Sequence, residues 1–201
     1  MKKYMLFTLA FTLLCCGVSL PATAQDVMEN TTEATGTATK KKATKKKKKQ
    51  VSPVHQALSK VSSINGKINK KAEFYFFLQS ASWCGFCRKE MPDIVKAYRK
   101  MKKEGVEILL FSHDKTEDAA KGFIKEFNMK FPVTMNLGDN VPGFQRSGGI
   151  PSLIIVDEYG NVVGGGHPKM LMPQWENIIK EAKKQKKEIE RAAEEAASEN
   201  E

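Results

Sequence analysis

Between residues 53 and 182, short apolar runs alternate with segments in which apolar residues recur every three or four positions. Pro53 starts a helical pattern through Val54, Ala57, Leu58 and Val61, which Asn65-Gly66 breaks. Phe74 to Leu78 is wholly apolar, as expected of a strand buried on both faces. Met91, Ile94, Val95, Tyr98 and Met101 mark a long helix that Gly105 ends. Val106 to Phe111 reads as a second buried strand. Thr116 caps a helix containing Ala119, Ala120, Phe123, Ile124 and Phe127. Phe131-Pro132-Val133 and an irregular stretch rich in Gly and Asn follow. Ser152 to Val156, a turn at 158–161 and a return from Val162-Val163 predict an antiparallel hairpin. Trp175, Ile178, Ile179 and Ala182 share one side of a closing helix, with Trp175 in the core. This order predicts an α/β domain over 53–182 with a mixed central sheet and helices on both faces. Residues 183–201 are almost purely charged and Ala-rich. They predict a C-terminal helical extension or tail with little to bury.

The charge balance removes the N-terminal quarter from this body. Residues 1–50 hold ten Lys and three acids, leaving 23 Lys plus Arg against 20 acids for the rest, a net of only +3. Residues 1–24 read as a signal peptide: Lys2 and Lys3, an apolar run from Met5 to Leu20, then Ala22-Thr23-Ala24 as the cleavage site. The run is shorter than the roughly 20 residues that span a bilayer, so an uncleaved anchor is the lesser reading. Lipidation at Cys15 or Cys16 is another, against which stands the lack of a small residue before them. The expectation is therefore export to a periplasmic or other extracytoplasmic space. Residues 25–52 read as a disordered linker, with eight lysines between Lys40 and Lys49. That tract is either a solvated spacer or a tether to an anionic membrane or wall surface. Nucleic acid is not an expected partner, because the folded part has no basic stripe interleaved with aromatics.

After removal of the signal, Cys84 and Cys87 are the cysteines that remain. A disulfide closing so small a loop stabilises little, so a structural staple explains the pair poorly. A zinc site needs two more ligands, and no second cysteine pair exists. The pair stands where the first buried strand ends and the long helix begins. A helix N-terminus stabilises a thiolate, the reactive form. Cys84 is then the exposed nucleophile, and Cys87, one turn on, the shielded thiol that resolves a mixed disulfide. His113 and Asp114 follow the second strand at the same sheet end and are candidates for a proton relay. His167 reads as a loop residue.

Ala81-Ser82-Trp83-Cys84-Gly85-Phe86-Cys87-Arg88-Lys89-Glu90-Met91-Pro92, Lys125-Glu126-Phe127, Phe131-Pro132-Val133 and Gly149-Ile150-Pro151-Ser152 together resemble the thioredoxin superfamily, and within it the exported TlpA- and ResA-like proteins. The resemblance covers roughly residues 74–165 and implies a thioredoxin fold. It implies that Trp83, Gly85, Phe86 and Pro92 support the active site, with Pro92 matching the proline of the active-site helix. It also implies that Ile150-Pro151 is a cis-proline loop lying against the sulfurs and receiving substrate backbone. Two departures stand out. Leu78 occupies the position of the buried Asp of thioredoxins, and Gly85-Phe86 replaces their Gly-Pro, more similar to the Gly-Tyr of disulfide isomerases.

The expected function is an exported thiol–disulfide oxidoreductase, a monomer exchanging a Cys84/Cys87 dithiol with protein thiols or disulfides and with a redox partner protein. Reductant, oxidant and isomerase stay open as directions, with reductant or isomerase favoured. Neither metal nor organic cofactor is expected. The alternative is a binding or redox-sensing module of the same fold without turnover.

Overall fold

A computed structural model describes residues 52–198. The expected signal peptide and all of the linker but Ser52 lie outside the described residues. Ser52 belongs to the folded body: it is buried, caps the first helix by accepting from His55 N at 3.2 Å, and donates to the Glu158 carbonyl.

The chain forms α1 (Pro53–Leu58), β1 (Phe74–Ser80), α2 (Gly85–Lys103), β2 (Val106–Ser112), α3 (Glu117–Phe127), β3 (Val133–Thr134), β4 (Ser152–Asp157), β5 (Val162–Gly166), α4 (Pro168–Leu171), a 3-10 turn (Met172–Gln174) and α5 (Trp175–Ser198). The sheet order is β3-β2-β1-β4-β5. β1, β2 and β3 are parallel, and β4 and β5 return antiparallel. This mixed sheet with helices packed on it is the thioredoxin fold expected above.

β1 and β2 are buried along their full length, because alternate side chains of a central strand enter two separate cores. Phe74, Phe76 and Leu78 meet Met91, Ile94, Tyr98 and Met101 of α2 and Trp175 and Ile179 of α5. Tyr75 and Phe77 face the other way, against Val54 and Leu58 of α1 and Phe144 of the loop before β4. Each such side chain taken wholly from water contributes roughly 1.5–3 kcal/mol.

Four details depart from the expected pattern. α1 ends at Leu58, short of Val61. Beyond it Ser63 Oγ donates to the Val133 carbonyl, and the Asn65 amide donates to the carbonyls of Met129 and Phe131, drawing the chain to the sheet edge instead of another turn. The two-residue β3 is too short to show a period, and it follows Pro132, whose carbonyl accepts from Leu110 N. β1 and β2 run to Ser80 and Ser112, past the apolar residues that marked them. Finally, α4 and the 3-10 turn fill the stretch before α5, where Pro168 and Pro173 hide the helical pattern. α5 crosses residue 183 without interruption, and its last turns are exposed on all sides.

α2 carries the site, and its two ends are set locally. Cys84 is its N-cap. Glu104 closes it with its N–H on the Lys100 carbonyl, and Gly105 at φ +79° turns the chain into β2.

Candidate active site

Cys84 and Cys87 are joined as a disulfide, their Cα atoms 5.2 Å apart. Cys84 has extended backbone (φ −85°, ψ 111°), and its Sγ accepts from Cys87 N at 3.2 Å. The sulfur thus takes the place of a capping oxygen, receiving an otherwise unpaired N–H of the first turn at the positive end of the helix dipole. The same contacts favour a thiolate on Cys84 once the bond is reduced.

Cys84 is less exposed than its position suggested, at 7% against 1% for Cys87. Its sulfur is packed against Ala81, Cys87 and Ile150. The exposed side chains beside it are Trp83 and Phe86, at 66% and 67%. Lys89 Nζ stands 5.8 Å from the Phe86 ring centre. Gly85 opens the helix with nothing within 4 Å of a Cβ built on it. Pro92 lies within α2.

Ile150-Pro151 is cis. The Ile150 carbonyl lies 3.6 Å from Cys84 Sγ, although the residues are 66 apart in sequence. The loop and the disulfide meet because β1, which leads to Cys84, pairs with β4, which begins right after Pro151. The last rung of that ladder is Gln79↔Ser152.

Asp114 is buried, and its partners are Ser82, on the loop before Cys84, and Ser112 at the end of β2. Its carboxylate accepts from Ser82 N at 3.1 and 3.2 Å, from Ser82 Oγ at 2.6 Å and from Ser112 Oγ at 2.9 Å. Both cysteines are absent from this set. His113 donates its backbone N–H to the Ser80 carbonyl at 2.9 Å. Its ring Nε2 is buried without a hydrogen-bond partner among the described residues. Burial, with the Arg146 charge added, holds its pKa below the ordinary histidine value, while Asp114 opposes the shift. The structure therefore brings Asp114 to the active-site loop as its anchor, and leaves His113 Nε2 buried at the same sheet end.

Several residues at the site had no role assigned from the sequence. Arg88, in the first turn of α2, donates to the Ser82 carbonyl at 3.2 Å, pairs with Glu126 of α3, and lies 5.5 Å from the Phe127 ring centre. His167, read as a loop residue, is the N-cap of α4 and approaches Glu90 of α2 at 3.2 Å. Glu90, Asp93, Ile94, Pro168 and Met172 line a cavity of about 360 Å³ between α2 and the α4 segment. Leu78, at the position of the thioredoxin Asp, is fully buried in the apolar core. Below it, Tyr98 Oη donates to Glu107 Oε1 at 2.6 Å, and Asn69 N donates to Oε2 at 3.1 Å. Burial raises the Glu107 pKa above the ordinary carboxyl value, against the effect of these bonds.

Comparison with known proteins fits this geometry. Thiol-disulfide oxidoreductase ResA of Bacillus cereus (strain ZK / E33L) is 40% identical over 82 residues, 41% of this chain and 47% of that protein. Thiol-disulfide oxidoreductase ResA of Oceanobacillus iheyensis is 31% identical over 115 residues, 57% of each chain. The chain thus spans about half the length of the curated relatives it matches. Among solved structures, a thiol:disulfide interchange protein of the thioredoxin family from Chlorobium tepidum TLS is 25% identical, with a TM-score of 0.47, covering 56% of this chain and 81% of its own. The model of the AhpC/TSA family matches residues 41–164, and the chain belongs to that family of thioredoxin-fold proteins.

Proposed function

We propose that this protein is a thiol–disulfide oxidoreductase acting on protein thiols and disulfides through Cys84 and Cys87. The observation that carries the reading is a disulfide capping α2, with the Ile150 carbonyl of the cis-proline loop 3.6 Å from Cys84 Sγ. In the reducing direction, the Cys84 thiolate attacks one sulfur of a substrate disulfide. A Cys84–substrate bond forms, and the other substrate sulfur leaves as a thiolate that takes up a proton. The Cys87 thiolate then attacks Cys84 Sγ, re-forming the intramolecular disulfide and releasing the second substrate thiol. Two electrons pass from protein to substrate, and a redox partner protein restores the dithiol. The oxidising direction is the same sequence reversed. The sulfurs carry both electrons, so the reaction requires no metal or organic cofactor.

Ile150 and Pro151 supply the ledge for an extended substrate segment, since proline has no N–H to enter a ladder and leaves the Ile150 backbone free to pair. Trp83 and Phe86 offer apolar surface on either side of Cys84, and Gly85 leaves the approach open. Pro92 supports the active-site helix from within. Asp114 anchors the Ser82–Cys84 segment. The protein works as a monomer after export to a periplasmic or extracytoplasmic space, a reading supported by the apolar run and cleavage site at residues 5–24. Lys40–Lys49 holds it near anionic lipid or wall polymer.

The test is reduction of insulin by dithiothreitol with and without the full chain. Catalysed precipitation that disappears in Cys84→Ser is the expected result. No acceleration would refute turnover and favour the binding or sensing module.

A further inference from the structure

Gln79 is fully buried in β1, on the face it shares with Tyr75 and Phe77. A buried primary amide must find partners or lose the water it gave up. Gln79 finds them in one place. Its Nε2 donates to the Gln145 carbonyl at 2.9 Å, and its Oε1 accepts from Ser147 N at 3.1 Å. Both partners are main-chain groups of the loop that precedes Pro151. Ser147 continues the connection: its Oγ accepts from Gly149 N at 3.1 Å and donates to the Gly149 carbonyl. The next residue is Ile150, whose carbonyl faces Cys84 Sγ.

The loop has little else to hold it at this end. A Cβ built on Gly148 or Gly149 would meet nothing within 4 Å. Arg146 points outward to an exposed pair with Asp139. On its far side the loop is fixed by the ladder, where Gln79 itself opposes Ser152. One residue therefore braces both ends, its backbone holding the segment after Pro151 and its side chain the segment before it. The same strand delivers Cys84 five residues later, so both arms of the site are referred to one rigid element.

We propose that Gln79 is a positioning residue for disulfide exchange, holding Gln145–Gly149 so that the Ile150 backbone presents itself to an extended polypeptide bound at Cys84. This rests on the exchange function proposed above. The role is specific to substrates that have a backbone to lay on the ledge. A small disulfide that reaches only the sulfur does not need it.

The experiment uses the full chain, Gln79→Met and Ser147→Pro. Gln79→Met keeps the side-chain length and loses both bonds. Ser147→Pro removes the N–H that Gln79 accepts together with the Oγ bonds to Gly149, so it breaks the same connection from a half-buried loop position and keeps the test open if the core variant does not fold. Activity is measured below the unfolding transition with insulin and with 5,5′-dithiobis(2-nitrobenzoate). Both variants are expected to lose about tenfold or more of kcat/KM on insulin, because small misplacements of a substrate-positioning group cost this much. Reaction with the small aromatic disulfide, and alkylation of reduced Cys84 by iodoacetamide, should stay within about twofold of the unmodified protein. Insulin kinetics equal to the unmodified protein, or an equal fall on both disulfides, overturns the inference. If the unmodified chain turns over neither disulfide, the proposed function itself fails, a result distinct from active parent and active variants.

Discussion

Replacing Asp114 with alanine removes the group on which the segment before Cys84 hangs. Three donors lose their acceptor: Ser82 N, Ser82 Oγ and Ser112 Oγ. Hydrogen bonds to a charged acceptor are worth about 1.5–3 kcal/mol each. The two hydroxyls can rotate toward each other or toward water, so their loss is largely recovered. The Ser82 N–H is held by the main chain and cannot turn, and it is partly buried. The net cost is then about 2–4 kcal/mol, one unrecovered bond plus part of the charge assistance on the others. For a domain of this size that lowers Tm by roughly 5–15 °C. Asp114→Asn keeps one carbonyl oxygen for Ser82 and should cost about half as much. Urea unfolding of Asp114→Ala, Ser82→Ala and the double variant gives the coupling directly, and we expect more than about 0.5 kcal/mol between these contacting residues. That coupling reports the Ser82 hydroxyl alone; a loss of less than about 1 kcal/mol in Asp114→Ala would refute the anchor. The kinetic half of the test separates anchoring from proton transfer. Asp114→Asn should lower insulin turnover at every pH without displacing the pH–rate profile. A displaced profile would instead support a proton relay through Asp114 and His113.

Other expectations concern the sulfurs, the buried carboxylate and the basic tract. Brief alkylation of the reduced protein should label Cys84 well before Cys87, and Cys87→Ser, not Cys84→Ser, should accumulate mixed disulfides; preferential labelling of Cys87 contradicts the assignment. Tyr98→Phe strips Glu107 Oε1 of its hydroxyl donor and should cost about 1–3 kcal/mol. Glu107 has a folded pKa raised above the ordinary 4.5, so its stabilisation is present below that value and is lost as pH rises through the folded one. Tyr98→Phe removes a bond opposing that rise, so urea midpoints should show a larger penalty at about pH 8 than at about pH 4; an equal penalty counts against it. Deleting residues 26–50 should leave Tm and insulin turnover nearly unchanged. Binding of the full chain to vesicles containing phosphatidylglycerol should weaken steeply between low and physiological salt, and salt-insensitive binding excludes an electrostatic tether.

Much of this was legible because two physical periods are legible. Helical spacing placed α2 and α3 with their caps, since Thr116 and Gly105 are residues whose local chemistry favours helix ends. Apolar runs placed β1 and β4, and β2 in spite of Glu107 at its second position. The order of these elements then brought the cysteine pair to a helix N-terminus, and the resemblance supplied the proline loop. The α4 segment escaped because Pro168 and Pro173 interrupt its period, and β3 because two residues have none. The packing of Cys84 was also misjudged. Exposure was inferred from its place at a helix start, but the sulfur is covered by Ile150, which arrives from a distant loop.

The deeper limit concerns polar residues inside strands. Apolar composition marked β1 only as far as Leu78 and β2 only as far as Phe111, yet both strands continue. The added residues, Gln79 and Ser80 in one and Ser112 in the other, are buried like the rest. Hydropathy stands in for burial only where burial is driven by apolar surface. A buried amide or carboxylate is tolerated for a different reason, that its hydrogen bonds are met, and those partners lie far along the chain. Gln79 is satisfied from residues 145 and 147, and Asp114 from residue 82 as well as from its neighbour Ser112. Nothing near either residue in sequence announces this. The strands therefore fade from the pattern at the end of the sheet where polar side chains take over from packing. That is also the end where Cys84 and the Pro151 loop must be held at a fixed separation. Directional bonds suit this task better than apolar contacts, because a hydrogen bond specifies where a backbone group sits, whereas hydrophobic burial is non-directional.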